Sequence, residues 1–362
     1  MLSALVAGAG PAGSTLALLL ARAGKSVCLY DRSTFPRNKA CGEYLSAGSV
    51  RLLHEIGVGA QLAAHARPVS GVRLHGHGVH ATIDFPQPGW SLPRCVLDQT
   101  LLRAAREAGA SVVRARVEDC SDRAADASLT VRFPDGSIAA AQSTVIIGAD
   151  GMHSIVARKC GLVADRAHTG RFALGGHYGG FRKLDGYIDM FVDGDTYVAI
   201  NPLTDTAANV MLVVGHEELA HNAQRVDAFA EERARALAGD LLARASAESK
   251  RIAIGPLSYR ARRLRSRHVL LVGDAAAFVD PFTGQGVYLA MRCAQIAAEC
   301  ITSGDLRAYE ARARREIAAR ERAAKRVGAF VHTPMLARAA APMLRRGAWI
   351  FSPLVRRVVG AA

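Results

Sequence analysis

The residues whose spacing promises chemistry begin at Gly8. Gly8-Ala9-Gly10-Pro11-Ala12-Gly13 reads G-x-G-x-x-G, with the apolar run LSALVA before it and STLALLLARAG, of helical period, after it. In that setting Gly8 permits a tight turn, Gly10 lets backbone approach a pyrophosphate, and Gly13 lets the helix lie close to the strand. Pro11 and Ala12 complete the turn, and the helix N-terminus directs its partial positive charge at the phosphates. Asp31 ends the next apolar run, KSVCLYD, with Arg32 behind it. A carboxylate there accepts hydrogen bonds from ribose hydroxyls. The spacing predicts a dinucleotide site built from Gly8, Gly10, Pro11, Ala12, Gly13, Asp31 and Arg32. It does not by itself separate FAD from NAD.

Two further stretches draw attention. FPRNKACGEYLSAG, residues Phe35–Gly48, sets Arg37, Lys39, Cys41, Gly42 and Glu43 close together with no helical period. LHGHGVH holds His75, His77 and His80. Strand alternation would put His75 and His77 on one face, but no third ligand stands near, so no metal site is expected. Arg37 and Lys39 suit phosphates or an anionic substrate. Their charges would also lower the pKa of a neighbouring thiol, which makes Cys41 a candidate catalytic residue. Glu43, His177 and Tyr178 are conceivable acids by residue type alone.

The elements that must position these groups follow from the patterning. LSALVAGAGPAGSTLALLLARAG and KSVCLYD make a strand, turn, helix and strand. Residues 71–90 read as irregular and rich in His, Gly and Pro. VLDQTLLRAAREAG is helical. ASVVRARVEDC and ASLTVRFPDGSIAAAQSTVIIGAD are strands, with Asp135-Gly136 as a hairpin turn. Residues 168–215 alternate as an antiparallel sheet would, 217–247 read as amphipathic helix, and RHVLLVGDAAAF returns to a buried strand and a turn. GVYLAMRCAQIAAECI and most of the Arg-rich remainder are helical.

The 362 residues are 50% hydrophobic, enough for two interleaved domains. No apolar run reaches the roughly 18–20 residues of a membrane span, and the N-terminus reads as a strand rather than a signal peptide, so a cytoplasmic protein is expected. The seven cysteines have no C-x-x-C spacing, which argues against a disulfide framework and a zinc site. The net charge of +14 is mostly arginine. No nucleic-acid motif accompanies it, and no nucleic-acid partner is expected.

LVGDAAAFVDPFTGQGVYLAM resembles the second FAD motif of the p-hydroxybenzoate hydroxylase-like flavoproteins. The resemblance implies FAD as cofactor, with Gly273-Asp274 and Pro281 in its second motif and Asp274 on a ribitol hydroxyl. It also implies that Gly284, Gln285, Gly286 and Val287 aim backbone N–H groups at the pyrimidine edge, where a helix N-terminus stabilises the charge of a reduced flavin. Asp150-Gly151 in IIGADGMHS resembles the family's DG motif near the pyrophosphate. Arg94 in LPRCVLDQTLL resembles the arginine that reaches the flavin or its phosphates, with Asp98 as its anchor, and Val117 matches a position whose backbone meets the adenine end. The Phe35–Gly48 loop is most similar to the geranylgeranyl reductase branch, from which the chain departs at Ala277, usually glycine, and Gln285, usually glutamate. By that likeness the loop lines the flavin, with Gly42 close to the ring, Cys41 beside it and Arg37 near phosphate.

The expected fold is α/β with an α+β insert. A Rossmann-like FAD-binding domain (1–68, 91–165 and 251–325) is interleaved with an antiparallel-sheet substrate domain (69–90 and 166–250), and 326–362 form a helical C-terminal segment. The tail mixes Phe330, Trp349 and Phe351 with Arg345, Arg346, Arg356 and Arg357, a composition that fits ordinary packing against the FAD-binding domain first, and otherwise peripheral contact with the inner face of a membrane or a cap over a lipid-like substrate tunnel. The expected function is FAD-dependent redox chemistry on an apolar small molecule, such as C=C reduction from flavin N5. Aromatic mono-oxygenation with NAD(P)H and O2 is the alternative. A halogenase, whose W-x-W-x-I-P signature is missing around Trp90, and a non-catalytic flavin protein stand further off. No second G-x-G-x-x-G is present for NAD(P)H, so that reductant would dock transiently.

Overall fold

The structure is a computed structural model that describes residues 2–76, 78–123, 127–163, 170–278 and 281–332. The basic-apolar tail beyond 332 and His77 lie outside the described residues.

Two sheets organise the chain. In the first, of seven strands, Leu2–Ala7 lies between Val27–Asp31 and Ile138–Gly148, parallel to both. Ser111–Arg114 extends one side and Val269–Leu271 pairs with Ile138–Gly148, again in parallel. Ala127–Arg132 and Arg116–Asp122 complete an antiparallel meander. Gly136 turns the expected hairpin at φ +87°, and Asp135 Oδ1 accepts from Ser137 N at 2.9 Å. Leu5, Leu29, Ile146, Ile147 and Leu270 are fully buried in this sheet. They are the unbroken apolar runs expected of parallel strands covered on both faces. The helix Pro11–Arg22 packs between Arg94–Glu107 and Gly286–Ser303, and Gly10, Arg94 and Gly286, at the N-terminal ends of the three helices, border one cavity.

The second sheet has nine strands and is mostly antiparallel. Arg171–Gly179, Ala207–Gly215, Thr196–Pro202 and Tyr187–Asp193 run antiparallel in that spatial order, and Tyr187–Asp193 pairs in parallel with Arg67–Gly76. The stretch that reads as irregular in sequence is a regular hairpin, Arg67–Gly76 with Val79–Ser91. Its irregularity has a local cause. The register jumps between Val69↔Gly89 and Gly71↔Asp84, and Pro86 and Pro88 sit in that bulge, where a missing N–H costs no ladder bond. Gly71 and Gly76 are required by crowding, since a Cβ would lie 2.4 Å from Ile83 O and 2.4 Å from Val192 O respectively.

The 217–247 stretch is not one helix. His216–His221 ends at Asn222, and a second helix, Val226–Ala238, stops at Gly239 with φ +51°. Its Phe229, Ala230 and Ala234 cover one face of the nine-stranded sheet. At the C-terminal end the helix Arg307–His332 packs along Gly286–Ser303, and its Val327 reaches the opposite face of the sheet. No helix among the described residues is long and apolar enough to cross a membrane.

Candidate active site

One cavity runs from the glycine turns of the first sheet to the uncovered face of the second. Its glycines fall into two kinds. Gly8 sits at φ +100° and a Cβ there would be 2.4 Å from Ala149 O; a Cβ on Gly13 would be 1.9 Å from Gly8 O. These two are demanded by the protein's own packing. A Cβ on Gly10 would meet only Arg37 Nη2, at 3.8 Å, and on Gly42 or Gly286 it would meet nothing within 4 Å among the described residues. Gly10, Gly42 and Gly286 all border the cavity. Their bare backbones form a cradle that side chains would fill, which is what a flat dinucleotide requires.

Charge gathers on the same side. Asp31 Oδ2 accepts from Ala9 N at 2.7 Å and Oδ1 from Ser33 N at 2.8 Å, so it shapes the turn it faces. Arg37 lies 3.5 Å from Asp31 and 3.8 Å from Asp98, with its guanidinium over the Phe35 ring. Arg94 holds Asp98 in a two-point pair at 2.9 and 3.0 Å, both side chains buried. Burial works against the Arg94 charge, but Asp98 and the nearby Cys41 outweigh it and keep the guanidinium protonated. Burial lowers the Lys39 pKa, helped by Arg94 and opposed by Asp274. Burial raises the Asp274 carboxyl, while Lys39 and Arg94 pull it down. Lys39, Arg94 and Asp274 all border the cavity, a set suited to a pyrophosphate and sugar hydroxyls.

The Cys41–Glu43 loop lies between the two sheets. Glu43 Oε1 accepts from Arg94 N at 2.7 Å and Oε2 meets His177 Nε2 at 2.7 Å. The hydrogen bond that His177 donates to Glu43 raises the His177 pKa against the effect of burial, and Glu248 adds to the rise. Asn209 Nδ2 donates to Cys41 O at 3.0 Å and Asn201 Nδ2 to Gly42 O at 2.9 Å. Beyond the loop the floor is Ala173, Ile188, Met190, Tyr197, Met211 and Val213. The charged side chains bordering the cavity, Lys39, Glu43, Arg94 and Asp274, all lie outside the floor strands.

Of the residues singled out in the sequence, Gly10, Pro11, Ala12, Cys41, Gly42, Arg94, Gly151, Gly273, Asp274, Pro281, Gly284, Gly286 and Val287 border the cavity together. Arg32 is exposed and Val117 is buried in its strand. Asp150 accepts from Ser154 Oγ at 2.5 Å and Ile155 N at 2.7 Å, so it fastens the helix Ile155–Lys159 beneath the Gly151 turn. The Gln285 amide folds back onto Thr283 O at 3.3 Å. Tyr178 is turned to the helix-covered face, where its hydroxyl donates to Glu231 at 2.7 Å. His75 is occupied elsewhere, with Asp189 at 2.9 Å, His80 at 3.1 Å and the Phe191 ring stacked at 4.5 Å. Sequence reasoning missed Tyr44, Asn201 and Asn209. The signal for the asparagines was a polar residue breaking each of the apolar runs TYVAINP and AANVMLVVG.

The model of the FAD binding domain family matches residues 1–303. The chain belongs to that family. Its cofactor is FAD, and like its relatives this FAD-binding-domain protein is an enzyme, an oxidoreductase. It is 27% identical over 329 residues to a menaquinone reductase of Mycobacterium tuberculosis, covering 83% of this chain and 77% of the relative. It is 30% identical over 336 residues to a digeranylgeranylglycerophospholipid reductase of Methanothermobacter thermautotrophicus, covering 86% of this chain and 82% of the relative. A solved flavin-dependent brominase superposes with a TM-score of 0.87 at 20% identity, over 99% of this chain and 93% of that one. At that identity the likeness establishes the fold alone. The p-hydroxybenzoate hydroxylase-like fold and its geranylgeranyl reductase-like neighbours are thus as the sequence motifs indicated.

Proposed function

We propose that the protein reduces a C=C bond, or an equivalent two-electron acceptor, in a substrate with a hydrocarbon chain. The observation that carries this reading is the segregation of the cavity: charge and bare backbone on the cofactor side, an apolar floor on the other. Apolar pockets with a few convergent polar groups select by shape and burial. Burying a chain on this floor is worth about 0.8 kcal/mol per methylene, so several methylenes would give useful affinity with no charged anchor. Two relatives are named as reductases, one of menaquinone and one of a digeranylgeranylglycerophospholipid, and a hydrocarbon chain of that kind suits the floor.

FAD, when bound, supplies a hydride equivalent that an external donor such as a reduced nicotinamide must replace. The chain's own residues bind, orient and exclude water. Gly10, Gly42 and Gly286 admit the cofactor, Lys39 and Arg94 meet its charge, and Met190, Met211 and Val213 keep the far side dry. Reduction adds one hydride and one proton. The Cys41 thiol borders the cavity near Arg94 and can sit beside the reacting atoms.

The test uses FAD-loaded protein, reduced under anaerobic conditions and offered menaquinone or digeranylgeranylglycerophospholipid. Flavin reoxidation without oxygen, with product heavier by two hydrogens, supports the reading. Product that forms only with O2 and gains an oxygen atom would install the mono-oxygenase alternative.

A further inference from the structure

We propose that His177, Asn209 and Asn201 are positioning residues that hold the Cys41–Glu43 loop so that the Gly42 N–H faces the flavin and tunes its redox balance. The proposal rests on FAD binding alone, not on the identity of the substrate.

The three residues form one row. His177 stands directly opposite Asn209, and Asn209 directly opposite Asn201, on three neighbouring strands. Residues directly opposite in a sheet project on the same face. Each meets one residue of the loop in order: Asn209 Nδ2 to Cys41 O at 3.0 Å, Asn201 Nδ2 to Gly42 O at 2.9 Å, and His177 Nε2 to Glu43 Oε2 at 2.7 Å. The asparagines are 3% and 2% exposed for positions 209 and 201, within strands otherwise apolar. The loop atoms they meet are carbonyl oxygens, which only accept, so the amides are the donors, and their Oδ1 atoms have no partner among the described residues. Placing two carboxamides in an apolar sheet carries a desolvation cost that these contacts offset.

The loop needs such a grip. Glu43 holds φ +55°, the one positive value among non-glycine residues described, and a side chain at such a φ persists only where its surroundings fix it. Here the Arg94 N–H holds one carboxylate oxygen and His177 the other.

The consequence follows from peptide planarity. A trans peptide sets the C=O of one residue and the N–H of the next on opposite sides. With Cys41 O drawn onto Asn209, the Gly42 N–H points away from the sheet. Gly42 borders the cofactor cavity, and a Cβ there would meet nothing within 4 Å. The Gly42 N–H is therefore a donor at the open side of the loop. A donor aimed at the flavin stabilises the negative charge that reduction brings, so losing its alignment makes reduction harder.

The experiment measures the midpoint potential and visible bands of FAD bound to Asn209→Leu, Asn201→Leu and His177→Gln. Asn209→Leu keeps the side-chain volume and removes the donor. The expected result is a displaced flavin band and a potential lower by about 30 mV, tenfold in the two-electron equilibrium. Asn201→Leu shows a smaller shift of the same sign, and His177→Gln, which keeps a donor for Glu43, stays near wild type. If Asn209→Leu does not load FAD, Asn201→Leu and His177→Ala read the same quantity. Loaded Asn209→Leu and Asn201→Leu proteins with unchanged potential and bands would overturn the proposal, even if their melting temperatures fall. That result would leave the reductase reading intact, because no substrate enters the measurement. Conversely, a shifted potential in a protein that reduces neither lipid would sustain the positioning role while the reductase reading fails.

Discussion

The two faces of the nine-stranded sheet are built from the same strands yet do different work. On one face Leu174, Val198, Val210 and Leu212 pack under the helix Val226–Ala238, with Phe229 and Ala234 pressed onto them. On the other, Ala173, Met190, Met211 and Val213 border the cavity shared with the glycine turns of the first sheet. Alternation sends neighbours such as Met211 and Leu212 to opposite faces. The covered face is mostly branched aliphatic and Ala, which interlock, with Tyr178 turned to Glu231 at its edge. The open face holds methionines, a tyrosine and the His177–Asn209–Asn201 row. A face covered by its own helix serves stability. A face left open beside such a cavity offers apolar surface for a substrate to cover.

This contrast can be broken most sharply at adjacent residues. Leu212→Ala removes a side chain on the covered face and is expected to cost about 2–5 kcal/mol. Denaturant unfolding of the FAD-loaded protein measures it, with little change expected in KM. Met211→Ala, one residue away, already borders a cavity, so its stability cost should fall below that range, near 1 kcal/mol. Its KM for a chain-bearing substrate should rise several-fold. Equal stability losses at the two positions would erase the distinction.

The cofactor cradle supplies the next test. Gly10→Val places methyls in the space that faces the cavity, and FAD content per polypeptide should fall to a small fraction of wild type. The melting temperature of the apoprotein should change little, since a Cβ at Gly10 meets only Arg37 Nη2. A loaded Gly10→Val protein would place the cofactor elsewhere.

The smallest expected effect is on pH. The His177 pKa is raised in the folded state by Glu43 and Glu248, the charged groups that face it. Its contribution to stability is therefore complete below the ordinary histidine value of 6.5 and is lost as pH rises through the higher folded value. His177 is partly exposed, so the expected loss is about 1 kcal/mol or less. A pH series of wild type against His177→Gln should show this slope in the wild type only.

The ease of reading the sequence follows how local each feature is. The Gly8–Gly13 turn and the Arg94–Asp98 pair lie within one helical turn or a single strand–helix junction, so spacing revealed them. The hairpin of 67–91 was hidden because Pro86, Pro88 and its glycines belong to a bulge and to close strand approaches, not to a loop. The polar row was hidden because His177, Asn201 and Asn209 meet only through the register of three strands. Asp150 carried the right motif, yet its carboxylate serves the helix beneath the turn, a detail that residue type cannot convey.

Binding of a hydrocarbon chain by the open sheet face is the proposal on which the rest depends. Its most direct test compares menaquinone with menadione, the same ring without the chain, by the perturbation each causes in the spectrum of oxidised bound FAD. The chain is expected to tighten Kd at least a hundredfold, about 2.7 kcal/mol or three to four buried methylenes, and Met211→Ala to weaken menaquinone alone. Equal affinities for the two molecules, with no effect of Met211→Ala, would contradict it.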